Sequence, residues 1–194
     1  MPAVTVSQPA VKRDESVATL VPAVAASLAV WDRLGLSIGE TVVITAGHRW
    51  SRVAALVATW YGAVPVILHS NDTLPLPPGV TRLTVDDPAD RARILASQLR
   101  ESPAVVAADF SGRADAVDLL LEALPPMSRL MLAGTAGEPL TIDYYINVHR
   151  KGLHLLSAVF DDLAAPGAAD YRVRAERLLA RSERADACRA IIGA

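Results

Sequence analysis

The chain has 194 residues, is 52% apolar and carries a formal net charge of −2, which is enough chain for one domain with a sizeable core. The charge balance argues against a general nucleic-acid binder, which needs a basic face. A single cysteine, Cys188, excludes an internal disulfide framework and a multi-cysteine zinc site. The Ala/Val/Leu-rich composition suits buried parallel strands covered by helices, and the expected setting is a reducing, cytoplasmic one.

Residues 1–14, with Pro2 and Pro9 among mixed polar residues, read as a loose tail ahead of a domain spanning 15–194. Lys12 and Arg13 precede SVATLVPAVAASLAV, which imitates the basic region and apolar core of a signal peptide. Pro22 interrupts that run, and the run is shorter than the ~20 residues of a membrane span. The expectation is therefore a helix at 16–34 ending at Gly35, with no membrane insertion.

From there strand and helix signals alternate. Strands are predicted at Thr41–Thr45, Pro65–Leu68, Arg82–Val85, Ala104–Ala108, Arg129–Ala133 and Leu153–Phe160, and helices at 50–61, 88–100, 112–124 and 143–150. Pro75, Pro77, Pro78 and Gly79 mark a surface connection, and Pro88 follows Asp87 at a helix start. Residues 170–192 read as one charged surface helix with Leu178, Leu179, Ile191 and Ile192 on its apolar side and its charges solvated. Regular alternation predicts an α/β fold: a doubly wound, mostly parallel six-stranded Rossmann-like sheet with helices on both faces.

Three stretches carry a resemblance. LGLSIGETVVITAG…AALVATWYGAVPVIL is similar to the start of the cofactor-binding domain of medium-chain dehydrogenases, the zinc alcohol dehydrogenase and quinone reductase superfamily. VVAADFSGRADAVDLLLEAL resembles that family's fourth strand, turn and helix, and SRLMLAGTAGEPLTIDYYINVHRKGLHLLSAVF its fifth strand, loop and sixth strand. The match covers residues 16–165. It implies a ligand crevice beyond the carboxyl ends of the strands. In this family the Asp109–Gly112 turn (with Ser111) and the Ala133-Gly134-Thr135 turn border the nicotinamide. The family's catalytic lobe would precede Val17, so the resemblance implies a coenzyme domain without its chemistry domain.

The loop after the first strand departs from the family pattern G-x-G-x-x-G/A. The three glycine positions fall on Ala46, His48 and Ser51, with Gly47 offset by one. The first glycine permits the tight turn, the second lets backbone reach the pyrophosphate, and the third brings helix close to strand. An imidazole at 48 and an indole at Trp50 put bulk where the diphosphate would meet bare amides. The acid expected about 20 positions on to hold the ribose is replaced by His69 or Ser70, and Asp72 comes too late. An NADP site would want an arginine, and none stands between Arg52 and Arg82.

His48, Arg49, Ser51 and Arg52 form a possible anion site at a helix start; alternatively Arg49 and Arg52 are solvated and His48 caps the turn. His48 and His69 end neighbouring strands and are candidates for an acid/base pair, but with no third ligand no metal is expected. Asp109 either orients a ligand or caps the next helix, with Ser111 the other capping candidate. Trp50 fills the vacated pocket or faces a partner, Trp60 and Tyr61 pack helices, and His149 and His154 lie at the surface. The apolar edge strand at 152–160 predicts a homodimer with a continuous sheet.

Three functions follow. The first is a degenerate dehydrogenase-like protein holding a non-dinucleotide small molecule or a partner protein at the old cofactor cleft, with no cofactor expected. The second is an NAD- or NADP-binding oxidoreductase component with catalysis supplied by a separate chain. The third is a small non-redox enzyme using His48 or His69 as general base.

Overall fold

The computed structural model describes residues 17–46, 50–70, 74–83, 85, 87–102, 104–137, 139–158 and 169–192. In chain order the elements are α1 (Val21–Arg33), β1 (Thr41–Thr45), α2 (Ser51–Trp60), β2 (Val66–His69), β3 (Val80–Leu83), α3 (Arg91–Leu99), β4 (Val105–Asp109), α4 (Ala114–Ala123), β5 (Arg129–Leu132), a π-helix (Tyr144–His149), β6 (His154–Ser157), α5 (Ala169–Leu179) and α6 (Ser182–Ile192).

The six strands form one sheet in the order β3-β2-β1-β4-β5-β6, every neighbouring pair parallel. This is the doubly wound order, with its switch point between β1 and β4. Alternate strand residues feed two cores. Val42, Ile44, Val66, Leu68, Val106 and Ala108 pack with α1, α2, α5 and α6 on one face. Val43, Ile67, Leu83, Val105, Ala107 and Leu130 pack with α3, α4 and Val148 of the π-helix on the other. All five residues of β1 and of β4 are buried, the continuous apolar pattern of strands covered on both faces.

Helix α1 explains the leader-like stretch. Its residues from Ala23 to Trp31 are all buried, because α1 lies against both α2 and α5. A helix enclosed on all sides is apolar all round and loses the amphipathic stripe of a surface helix. Trp31 is fully buried and its indole N–H donates to the Ala54 carbonyl of α2 at 3.0 Å. Pro22 lies in the first turn, where no helical hydrogen bond is lost. Among the described residues no helix is long and apolar enough to cross a membrane.

Two glycines end their helices in the same way. Gly35 (φ +63°) and Gly62 (φ +81°) adopt the left-handed conformation. After α1, the amides of Gly35 and Leu36 donate to the carbonyls of Asp32 and Trp31; after α2, those of Gly62 and Ala63 donate to Thr59 and Ala58. Both are the paired bonds of a Schellman cap.

The structure shifts several expected boundaries. β3 is Val80–Leu83 rather than Arg82–Val85, because pairing with Val66 starts directly after the Gly79 turn. The helix expected at 88–100 opens with a 3-10 turn, Pro88–Asp90, and becomes α-helical at Arg91. The expected helix at 143–150 is π-helical, started by Asp143, whose carboxylate accepts from the Ile146 amide. β6 spans His154–Ser157, and Val159 and Phe160 of the expected strand lie outside the described residues. The tail expected as one helix at 170–192 is two, broken at Ala180–Arg181. The break lets α5 lie along α1 while α6 reaches α2.

Candidate functional site

The carboxyl edge of the sheet is set by register. Thr45 of β1 stands opposite His69 of β2 and opposite Asp109 of β4. Counting two residues back along each strand gives Val43, Ile67 and Ala107, all in the α3/α4 core. The three terminal side chains therefore project to that same face, with His69 and Asp109 two strand spacings apart, roughly 10 Å.

Asp109 is buried, 1% exposed. Its Oδ1 accepts from the Thr45 hydroxyl at 2.5 Å, the Ser111 amide at 3.0 Å and the Ser111 hydroxyl at 2.6 Å, and its Oδ2 accepts from the Gly112 amide at 2.9 Å. The Ser111 hydroxyl in turn accepts from the Arg113 amide at 3.1 Å. The carboxylate thus ties the end of β4 to β1 and shapes the turn into α4. A Cβ added to Gly112 would lie 2.2 Å from the Thr135 carbonyl oxygen, and one added to Gly134 would lie 2.3 Å from the Gly112 nitrogen. The two turns touch backbone to backbone, which itself requires glycine at both positions.

His69 is half-buried and faces a cleft of about 320 Å³ between α3 and α4, lined by Arg91, Asp115, Asp118 and Glu122 among others. Burial, and after it the Arg91 guanidinium, pushes the imidazole below its ordinary range, while Asp115 pulls the other way. The ring is therefore neutral at pH 7 and presents one donor and one acceptor. Asp115 is held below the usual carboxylate range by the Arg113 guanidinium, which binds both of its oxygens at 2.9 Å. Sequence reasoning missed Arg91 and Asp115. The available signal was positional: each opens a helix at the carboxyl edge, on either side of His69.

The loop candidates divide. Ala46 extends the ladder, its amide donating to the His69 carbonyl at 2.8 Å. Gly47, His48 and Arg49 lie outside the described residues, as does Asp72. Trp50 is partly buried and packs against the α1/α2 core at the start of α2. Ser51, at the third glycine position, is 1% exposed. Arg52 is not solvated as one reading expected: it is 6% exposed and its guanidinium donates to the Ile191 carbonyl at 3.4 Å. That carbonyl belongs to the last turn of α6, the negative end of a helix, which favours a cation. Ser70 is half-buried beside His69.

Tyr61 does more than pack: its hydroxyl donates to Asp32 at 2.5 Å, and Arg174 of α5 pairs with the same carboxylate. Desolvation works against the Asp32 charge, but Arg174 and Tyr61 hold its carboxyl below the ordinary range. His149 is exposed and stacks on Tyr145, and His154 is exposed on β6. Among the described residues no group of three or more His, Cys, Asp or Glu side chains is arranged to hold a metal.

No protein-family model matches the sequence, and no curated protein does. Solved structures match its fold. Galactitol-1-phosphate dehydrogenase from Escherichia coli superposes with a TM-score of 0.70 at 20% identity, over 86% of this chain and 49% of that one. Quinone oxidoreductase from Pseudomonas syringae pv. Tomato gives 0.65 at 16% identity, over 88% and 57%. A short chain alcohol dehydrogenase from Escherichia coli solved with NADH gives 0.66 at 11% identity, over 87% and 49%. The chain spans about half the length of these solved chains and shares their fold over that span.

Proposed function

We propose that the chain is a dehydrogenase-type Rossmann module whose carboxyl-edge crevice has exchanged the dinucleotide for another occupant, a small non-dinucleotide molecule or a partner protein, and that it acts as a homodimer joined through β6. The observation that carries this reading is the composition of the β1–α2 connection. Ala46, His48 and Ser51 stand at the three glycine positions, with Trp50 packed at the start of α2. A buried side chain at position 51 spaces helix from strand where glycine would let them meet, and the sequence has histidine at 48 in place of the glycine that lets backbone approach a diphosphate. The end of β2 supports the same reading. A neutral imidazole there can accept or donate one hydrogen bond, but it lacks the carboxylate that holds both ribose hydroxyls. What the crevice offers instead is a mixed cleft with one neutral histidine, an arginine and carboxylates.

A second reading, an NAD(P)-binding oxidoreductase component, is favoured by the NADH held in one of the similar structures and by the Asp109–Gly112 turn. One experiment separates the two. Isothermal titration with NADH and with NADPH is expected to give no heat with the wild type. His48→Gly combined with Trp50→Ala is expected to restore weak binding. Saturable micromolar binding by the wild type would reject the first reading and establish the second.

A further inference from the structure

Among the described residues a concentration of arginines lies away from the crevice. Helices following parallel strands start at the carboxyl edge and run back, so Trp60 and Tyr61, at the end of α2, are at the opposite edge of the sheet. There a cavity of about 410 Å³ opens between α1, α2 and the α5–α6 pair. Among the described residues its walls are Leu28, Trp60, Tyr61 and Leu178 together with Arg174, Arg177, Arg181 and Arg184, with no carboxylate among them. Arg174 is neutralised by Asp32. Arg184 lies over the Trp60 ring, its guanidinium carbon 5.0 Å from the centroid, within the range of a cation–π contact. Among the described residues Arg177, Arg181 and Arg184 make no ion pair with a carboxylate.

Three guanidinium groups brought together with no counter-charge repel one another. The arrangement is favourable when an anion with several acceptor oxygens lies among them, because each guanidinium offers a planar fork of donors. The cavity falls in the size range of small-molecule sites, ~300–1,000 Å³, larger than a bare inorganic anion needs, and one side of it is apolar. We propose that this groove binds a small organic phosphate, its phosphoryl group held by Arg177, Arg181 and Arg184 and its organic body resting on Leu28, Leu178 and the Trp60 edge. The assignment is independent of what occupies the β1–α2 crevice.

The test uses the full chain at fixed ionic strength, with inorganic phosphate and phenyl phosphate as probes, read by calorimetry and thermal shift. Phenyl phosphate is expected to bind at least tenfold tighter than inorganic phosphate, since only it covers the apolar wall. Arg177→Ala with Arg181→Ala is expected to weaken it at least tenfold. Arg177, on α5, and Arg181, at the α5–α6 break, are both exposed, so circular dichroism and melting of that variant should match the wild type. Trp50→Ala, at the crevice, should leave the affinity unchanged. Equal affinity for the two probes, or a double variant that binds like the wild type, would overturn the proposal. Co-sedimentation with phosphatidic-acid vesicles that phenyl phosphate does not displace would also overturn it, reassigning the groove to a lipid headgroup.

Discussion

At the scale of single residues, the carboxyl edge separates a side chain that builds the fold from one that is available to a ligand. Asp109 satisfies four donors from Thr45, Ser111 and Gly112 while almost wholly buried. Asp109→Ala would leave those donors without their acceptor in a dry turn, and is expected to cost about 2–4 kcal/mol in urea unfolding. A loss below about 1 kcal/mol would mean that water takes over the carboxylate's place. His69 is available, and its lowered pKa makes a signed prediction. The folded state binds its proton more weakly than the unfolded chain, whose value is about 6.5. Above that pH both states are neutral and the group has no effect. As pH falls through it, the unfolded chain protonates first, so stability declines until the folded-state value is passed. His69→Gln should therefore flatten the fall in melting temperature between pH 7.5 and pH 5 relative to the wild type. Parallel curves would show that the imidazole is as well solvated in the fold as outside it. Cys188 is the inert counterpart: burial pushes its thiol up to about 12, so the native protein should react with a thiol reagent only as it unfolds.

At the scale of elements, α1 is the keystone of the first core, and Trp31 is its largest buried side chain. Trp31→Ala should cost about 3–5 kcal/mol. Trp31→Phe keeps most of the packing but loses the bond to the Ala54 carbonyl, and should cost about 1–2 kcal/mol. Urea midpoints of the two variants decide it; equal losses would mean that the hydrogen bond, not the ring volume, governs the site. What the sequence made legible follows from local chemistry. Gly35 announced its cap, and the apolar runs of β1 and β4 announced buried parallel strands. Features set by tertiary contact were less legible. Burial on every side erased the periodicity of α1 and left a pattern shared with leader peptides. Ala180 and Arg181 are good helix formers, so propensity hides the α5–α6 break, which exists because the two helices meet different partners. Arg52 looked like a loop cation because nothing local reveals that the end of α6 lies against it. The arginine groove was similarly hidden: Arg174, Arg177, Arg181 and Arg184 recur at helical spacing, but only the placement of α5 and α6 beside Trp60 turns that stripe into a cavity wall.

At the scale of the whole molecule, the open question is how the sheet ends. Its two edges differ. On β3 the chain before the strand runs close by, with the Arg82 guanidinium donating to the Leu74 carbonyl at 2.6 Å, and the polar Thr81 faces solvent. Charge and prolines of this kind protect an edge from further pairing. β6 carries no such device among its described residues. It reads His-Leu-Leu-Ser, Leu156 is 38% exposed, and the preceding π-helix exposes Tyr144, Tyr145 and Ile146 at 66%, 63% and 52%. A second copy related by a two-fold axis would pair β6 with β6, satisfy the open amides and carbonyls of both, and cover these side chains in one self-complementary surface. Six strands from each copy would make one sheet of twelve. The wild type is therefore expected to sediment as a dimer. Leu156→Lys should give a folded monomer, because it places a charge on the pairing edge while replacing a side chain that makes little of the core. The strand's four residues supply the competing possibility, since short edge strands resist pairing by themselves. Sedimentation velocity across a concentration series separates the two. A wild type that stays monomeric throughout would show that shortness alone protects β6 and that the exposed tyrosines face some other surface.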